Sequence, residues 1–145
     1  MVGKLRFLFV ILFSLSAGQG IWAQTTGLIY EYGKQISLDG MVASRIYPGP
    51  PNYESVRRGD EAEHIWLLKL SKPIELKDDG VPTTNNEAEK NIREVQLVIT
   101  SPKNERFLEK SIGHSVKLSG SLFHALTGHH HLKVLMDVEK CIARK

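Results

Sequence analysis

The sequence predicts a mainly β domain with one short helix. Apolar and polar residues alternate with a period of two in five separate segments, which is the pattern of half-buried strands. The pattern changes to helical spacing once, after the third segment. Glycine, proline and other turn-forming residues lie between the segments. These observations predict the order strand, strand, strand, helix, strand, strand.

The five predicted strands are "QISLDGMVASRIY", "HIWLLKL", "IREVQLVIT", "HSVKLSGSLFHA" and "HLKVLMDVEKCI". In the second strand Trp66, Leu68 and Leu70 share one side, which we expect to face the core. The first and fourth strands each carry a glycine at mid-strand, Gly40 and Gly120. Glycine weakens a strand unless the strand bends sharply or another backbone comes close, and small closed barrels need such bends.

The helix is predicted in "SPKNERFLEKSIG". Ser101 precedes it as an N-cap, and Pro102 lies in the first turn, where a missing N–H leaves no helical hydrogen bond unmade. Leu108 and Ile112 lie four residues apart, so we expect them on one helical face. Gly113 can adopt the left-handed conformation that ends a helix.

Three strands, one helix and two strands follow each other in the oligonucleotide/oligosaccharide-binding (OB) fold, a five-stranded Greek-key barrel. We therefore predict a small OB-like barrel domain over residues 36–142, with the helix between strands three and four. An open antiparallel sheet with a helix on one face is the alternative.

The first 23 residues are predicted to be a secretory signal peptide. Lys4 and Arg6 stand at the start of an apolar run that is too short to span a bilayer, and small residues follow it. Residues 24–35 would then form a short N-terminal lead segment. We expect an exported protein, periplasmic or secreted, without a membrane span after cleavage. It would not be lipid-anchored, because no cysteine directly follows the apolar run.

Charge argues against nucleic acid as a partner. Without residues 1–23, 17 of the 19 basic residues remain beside all 16 acidic ones, so the net charge is about +1. Binding of nucleic acid needs a clustered basic patch with stacking aromatic residues. The single cysteine, Cys141, has no partner for an internal disulfide and is expected to be a small apolar strand residue.

Four stretches carry a resemblance to a known family. They are "YPGPPNYES", "GDEAE…WLLKL", "NEAEKNIREVQLV" and "SGSLFHALTGHHH", spread over residues 36–140. With them the chain resembles exported bacterial domains classified as the domain of unknown function numbered 4431. In that family a threonine often follows the third histidine, whereas this chain has Leu132. The resemblance implies an exported single-domain bacterial protein and implies no reaction.

The long loop after the first strand is a candidate binding element. Its prolines stiffen it, and Tyr47 and Tyr53 supply flat amphipathic surface. Arg57 and Arg58 could hold an anionic group. In an OB fold this loop and the loop between strands four and five border the ligand face. The alternative is that the tyrosines only pack the loop over the barrel.

The second candidate element is "HALTGHHH", which holds His124 and His129–His131, four of the six histidines. We expect a three-residue "LTG" loop, because that register pairs Leu118 with Met136 and places the glycine at the left-handed position of the loop. His124 then lies directly across from His130, and the other two histidines share the opposite face.

This register allows one weak metal site. Directly opposite residues have Cβ atoms roughly 4.5–5.5 Å apart, so His124 and His130 could share zinc or copper. His64 is expected at the far end of the barrel, so a further ligand would have to be a carboxylate from the loop between the second and third strands.

We therefore predict an exported binding or accessory domain, leaning away from an enzyme. The partner would be an envelope protein or a small anionic or saccharide ligand. Weak zinc or copper binding, a hydrolase using His124 or His130 as general base, and motifs that only specify the fold are the alternatives. The candidate ligand-binding residues are Tyr47, Tyr53, Arg57, Arg58, His124, Thr127, His129, His130 and His131.

Overall fold

A computed structural model describes residues 28–144 of the chain. The predicted signal peptide and the first four residues of the lead segment, 24–27, lie outside these residues. The strands are β1 (Leu28–Glu31), β2 (Gln35–Pro48), β3 (Ala62–Lys77), β4 (Glu89–Val98), β5 (Ser115–His124) and β6 (Val134–Ala143), with helix α1 (Pro102–Lys110) after β4. Within the described part, no helix is long and apolar enough to cross a membrane.

The strand pairings close a ring of five strands. β2 pairs antiparallel with β3 and with β5, β5 pairs antiparallel with β6, and β4 pairs antiparallel with β3. The ring is closed by the parallel pair of β4 and β6. The mainly β class and the helix between the third and fourth predicted strands are therefore confirmed.

β1 is a strand that the sequence pattern missed. It falls in the predicted lead segment and pairs parallel with the second half of β3, where Leu28 lies opposite Ile74. β3 accordingly runs to Lys77, well beyond the predicted "HIWLLKL". Leu28 and Ile29 are exposed, so β1 lacks the alternating burial by which a strand is recognised in a sequence.

The core lies inside the ring. Its fully buried members include Val42, Leu68, Val95, Leu118 and Met136, one from each ring strand. Trp66 and Leu70 pack against this core beside Leu68, which confirms the predicted inward side of β3. Leu108 of α1 is also fully buried against it.

Both mid-strand glycines are explained by close backbone approach. A Cβ at Gly40 would meet the carbonyl oxygen of Lys69, and a Cβ at Gly120 would meet that of Asp137. Gly120 also borders the register shift between β5 and β6. Any side chain at these positions would force the neighbouring strand away.

The end of the helix differs from the prediction. α1 stops at Lys110 with Ser111 as its C-cap, so Ile112 lies beyond the helix and is half exposed. Ser101 is the N-cap residue, but its side chain makes no capping hydrogen bond. Gly113 does adopt a positive φ of 77°, in the turn that follows.

The predicted register between β5 and β6 is wrong. Leu118 pairs with Cys141 rather than Met136, and His124 pairs with Val134 rather than His130. Residues 125–133 therefore form a nine-residue loop instead of a three-residue turn. The strands end early because the loop residues find hydrogen-bond partners on other strands, as described next.

Candidate functional site

Two loops meet at the start of β3. We call residues 49–61 the tyrosine loop and residues 125–133 the histidine loop. Glu63 lies between them and accepts a hydrogen bond from each of two imidazoles, at Nδ1 of His129 and at Nε2 of His131 (2.7 Å for the latter). Burial raises the pKa of Glu63, but the hydrogen bonds from His131 and His129 outweigh it and hold that pKa below its ordinary value. Glu63 is therefore an ionised acceptor that joins two histidines of the same loop.

Gln96 of β4 holds the backbone of the histidine loop. Its amide Nε2 donates to the carbonyl of His129 at 2.9 Å, and its Oε1 accepts from the backbone N–H of His131 at 2.7 Å. The N–H of Leu132 also points to Oε1, at 3.3 Å. A side-chain amide thus supplies the pairing that a neighbouring strand would give, which fixes the loop on the outer face of the sheet.

Two tyrosines complete the contact. The ring of Tyr47 stacks on the imidazole of His131, with centroids 4.5 Å apart and planes 10° from parallel. The ring of Tyr53 meets His129 edge-on, and its hydroxyl lies 3.4 Å from Nε2. We call Tyr47, Tyr53, Glu63, Gln96, His129 and His131 together the loop junction.

The tyrosine loop is folded around Asp60. The carboxylate of Asp60, which is buried, accepts from the backbone N–H groups of Asn52, Glu54 and Ser55 and from the side chain of Asn52. These bonds, that from Ser55 foremost, keep the pKa of Asp60 below its ordinary value despite burial. The loop is therefore an ordered element rather than a floppy one.

Two glycines allow the loops to approach. A Cβ at Gly49 would lie 2.7 Å from Cγ of Glu63, and a Cβ at Gly128 would lie 3.0 Å from Cζ of Tyr53. The glycines of "YPGPP" and "TGHHH" therefore leave room for side chains of the junction. This tight fit ties the two sequence motifs to each other.

Tyr53 is held in an uncommon backbone conformation. Its φ is 57°, in the left-handed region that a bulky aromatic residue rarely adopts. Its N–H donates to the carbonyl of Gly49 at 2.9 Å, and the Asp60 bonds to the next two residues fix the chain around it. Tyr53 nevertheless remains 38% exposed. The fold thus orders an exposed ring at some conformational cost.

His130 and Thr127 belong to the tip of the histidine loop. Nδ1 of His130 accepts from the N–H of Leu126 at 2.8 Å, and the N–H of His130 donates to the carbonyl of Thr127. The His130 ring meets Phe123 edge-on. Burial, together with the charges of His129 and His131, lowers the pKa of His130. His130 thus has a structural role in the turn.

His124 lies in a separate cluster. Its Nε2 is 3.2 Å from Oε1 of Glu89, which also pairs with Lys133, while Nδ1 faces the amide of Asn85. Tyr32 approaches His124 edge-on, and burial followed by nearby carboxylates raises the pKa of Tyr32 to about 12. The predicted His124–His130 metal pair therefore loses its geometric basis, because the two residues bond to different partners.

The predicted position of His64 is also wrong. His64 follows Glu63, so it lies at the end of β3 that meets the histidine loop, although strand alternation turns it to the other side of the sheet. In the described residues, no group of three His, Cys, Asp or Glu side chains is arranged to hold a metal ion. The expectation that His129 and His131 point the same way is confirmed by their shared acceptor.

The structure brings together Tyr47, Tyr53, His129 and His131 of the predicted site residues. Arg57 and Arg58 lie exposed in a short 3₁₀ turn of the tyrosine loop, and Arg58 pairs with Glu54 at 2.8 Å. Two surface pockets of about 330 Å³ each lie elsewhere, around Tyr32 and residues 78–87. No residue of the loop junction lines either of these two pockets.

Three residues that organise the junction are absent from the predicted site residues. Glu63, Gln96 and Asp60 are single polar residues in or beside strands, and a polar residue at an outward strand position is unremarkable in a sequence. The signal that could have found Glu63 is its register opposite Tyr47, which depends on the β2–β3 pairing. The two glycines were the local hint that the loops are crowded.

Comparison with known families covers the histidine half of the junction. Residues 94–141 match the model of a family described as a domain of unknown function. That family is DUF4431. The DUF4431 match runs from within β4 to within β6 and includes Gln96 and the whole histidine loop. It confirms the resemblance over these residues, a third of the chain. No curated protein matches the chain significantly.

Proposed function

We propose that this chain is an exported, non-enzymatic binding or accessory domain with an OB-like fold, whose ligand face is the loop junction. The closed ring of five strands, the helix between β4 and β5 and the parallel β4–β6 pair support the OB-like interpretation. In OB folds the first-to-second and fourth-to-fifth loops border the ligand face, and these correspond to the tyrosine and histidine loops. The leader-like residues 1–23 support export.

The observation that carries this proposal is the exposed, strained Tyr53. Strained backbone persists where surrounding contacts over-determine it, and it is concentrated at functional sites. Here Asp60, Gly49 and Gly128 together fix a ring that contributes little to the core. An aromatic ring that is ordered before binding loses little entropy when a ligand arrives, so its ordering supports affinity.

The partner in this proposal is an envelope protein or a small anionic or saccharide ligand. Envelope extract passed over the immobilised mature protein, followed by identification of the retained molecules, tests the proposal. The variants are Tyr53→Ala and His129→Ala. Ile142→Ala is the matched control, because Ile142 is exposed near the opposite end of the β5–β6 pair.

We expect the natural sequence and the control to retain the same molecules and the two junction variants to lose them. Retention that is identical for all four proteins would contradict a ligand face at the junction, provided that circular dichroism shows each variant folded. Absence of any retained molecule for every protein would contradict it equally.

The second candidate is that the motifs only specify the fold. It is favoured by the number of junction groups with internal partners, since both oxygens of Glu63 and both ends of the Gln96 amide are engaged. Stability separates the two candidates. If Tyr53→Ala lowers the free energy of unfolding as much as Glu63→Ala does, the tyrosine is architecture. The hydrolase alternative needs a hydroxyl beside His124 or His130, and the hydroxyl of Ser119 on β5 bonds instead to that of Ser37 at 2.7 Å.

A further inference from the structure

The free groups around the junction indicate the chemistry of a ligand. Three nearby carboxylates are already engaged: Asp60 by backbone N–H groups, Glu63 by two imidazoles and Glu54 by Arg58. Among the described residues the exposed Glu61 and Arg57 of the tyrosine loop form no ion pair. Of the groups left free, the Tyr53 ring, the outer edge of His129 and the Arg57 guanidinium are the ones that suit a sugar or an anion.

The Tyr53 ring is partly open to solvent, with 38% of the residue exposed. Gly128 lies against the hydroxyl end of the ring, with nearest approaches of 3.0–3.3 Å for a Cβ built there. The backbone conformation and the Asp60 bonds fix the main chain at Tyr53, and the contacts with Gly128 and His129 orient its ring. A flat amphipathic ring with a hydroxyl at its edge suits a sugar ring, which has apolar C–H faces and a hydroxyl rim.

His129 adds a polar contact beside this ring. Its side chain is 60% exposed. Because Nδ1 is directed at Glu63, Nε2 is the ring nitrogen left for a ligand, and the Tyr53 hydroxyl approaches it only weakly at 3.4 Å. A ligand hydroxyl can take that position, because a hydroxyl both donates and accepts hydrogen bonds. The arrangement therefore favours a hydroxyl-rich ligand over an apolar one.

Arg57 adds selectivity for an anionic group. It follows Tyr53 by four residues, and the intervening chain is folded tightly around Asp60. A guanidinium matches a carboxylate in two parallel hydrogen bonds. Single-stranded nucleic acid fits less well, because it needs several stacking rings along a basic groove.

We propose that Tyr53, His129 and Arg57 bind a saccharide that carries a carboxylate, with a sugar ring on Tyr53 and its carboxylate on Arg57. This inference rests on the proposed function and specifies its ligand. Nothing else of the junction needs to move, since each internal hydrogen bond of Glu63, Gln96 and Asp60 remains in place.

The experiment uses calorimetry of the mature protein with a uronic-acid oligosaccharide. Its methyl-ester form is the neutral control, and a short single-stranded oligonucleotide is the alternative anion. The variants are Tyr53→Ala, Tyr53→Phe, Arg57→Gln and Arg58→Gln. The two arginines form a matched pair, because both lie in the turn Val56–Arg58 but only Arg58 is held by Glu54.

We expect the acidic saccharide to bind more tightly than its ester and more tightly than the oligonucleotide. Arg57→Gln should weaken it by roughly tenfold or more, as for loss of a hydrogen bond to a charged group, with little change for Arg58→Gln. Tyr53→Ala should abolish binding, whereas Tyr53→Phe should retain most of it because the ring remains.

Three results would overturn the inference: no binding of the acidic saccharide, equal binding of acid and ester, or tighter binding of the oligonucleotide. Equal effects of the two arginine variants would overturn the role of Arg57. Each of these results leaves the proposed function to be decided by the retention experiment, in which Tyr53→Ala loses or keeps its partner from envelope extract. Failure of the ligand class and failure of the binding face are thus distinguishable.

Discussion

The described residues contain two histidine–carboxylate clusters, and the clusters differ in how far their side chains are exposed to solvent. At the His124 cluster both side chains are nearly covered, with 11% of His124 and 10% of Glu89 exposed. At the loop junction His131 is equally covered at 10%, but His129 beside it is 60% exposed. The histidine–carboxylate pair is therefore shielded from solvent in the His124 cluster and partly exposed to solvent at the loop junction.

The His124 cluster therefore holds parts of the fold together, whereas the loop junction also exposes side chains to solvent. Lys133 and Asn85 fill the remaining hydrogen-bonding positions around Glu89 and His124, so that cluster ties the loop after β3 to the start of the histidine loop. At the junction Glu63 and Gln96 hold the histidine loop by hydrogen bonds, while Tyr53 and His129 are exposed to solvent. A run of histidines in a sequence is thus not one site, since its members serve different elements.

The largest expected effect is at the closed cluster. His124→Ala removes the hydrogen bond to Glu89 and leaves a largely covered carboxylate with Lys133 alone. We expect the free energy of unfolding to fall by about 2–3 kcal/mol, measured by urea denaturation. Binding of partners should be unchanged in the folded fraction. A loss of binding with full stability would place His124 in the ligand face and erase the distinction between the clusters.

A smaller effect is expected from Glu63. Glu63→Gln keeps the shape but replaces an ionised acceptor of two N–H groups by an amide with one acceptor oxygen. We expect the protein to lose about 1–2 kcal/mol of stability and to bind its partner less well, because His129 is no longer oriented. The control is Glu94→Gln, an outer-face carboxylate of β4 that pairs with Arg45. Equal losses for both variants would contradict a special role for Glu63.

Gly128→Ala tests whether the position of the Tyr53 ring affects partner binding separately from stability. The added Cβ would lie 3.0 Å from Cζ of Tyr53, so the ring must shift by a few tenths of an ångström. We expect less than about 1 kcal/mol of destabilisation, because the tip of an exposed ring can yield. Partner binding should fall more than stability does. Unchanged binding would show that the position of the Tyr53 ring is not important.

The smallest effect is expected on the pH dependence of stability. The pKa of His130 is lowered by burial and by its histidine neighbours, so its contribution is present above the ordinary histidine pKa of 6.5 and is lost as pH falls through the lowered value. His130→Asn should flatten the stability curve just below pH 6.5. It should leave the fall at lower pH unchanged, where Asp60 and Glu63 become protonated. A curve identical to that of the natural protein would contradict the assignment of this step to His130.

The free energy of unfolding should also decrease as pH falls further, through the acid range. Asp60 and Glu63 both have pKa values below the ordinary carboxylate range, so their stabilisation is present above that range and lost as pH falls through the folded values. Asp60→Asn should remove part of this fall. Thermal unfolding across the acid range measures it, and an unchanged acid limb would contradict the role of Asp60 in ordering the tyrosine loop.

The sequence by itself determined the elements that repeat a local period. Alternation identified the five ring strands and the inward side at Leu68, and Pro102 marked the first turn of α1. Gly40 and Gly120 predicted either a sharp bend or a close backbone approach, and the structure shows the close approach at both. β1 escaped detection, since its exposed residues carry no alternation and its existence depends on pairing with distant β3.

Only the tertiary structure decided the register of β5 and β6 and the fate of the histidines. The local sequence pattern predicts the hairpin with the most paired residues, because the pattern reflects only the two strands that form the hairpin. The loop residues instead bond to Glu63 and Gln96, which are 66 and 33 residues away from His129 in the chain. No local pattern contains those partners. Strand periodicity is a property of neighbours in sequence, whereas a hydrogen-bonded junction is a property of neighbours in space.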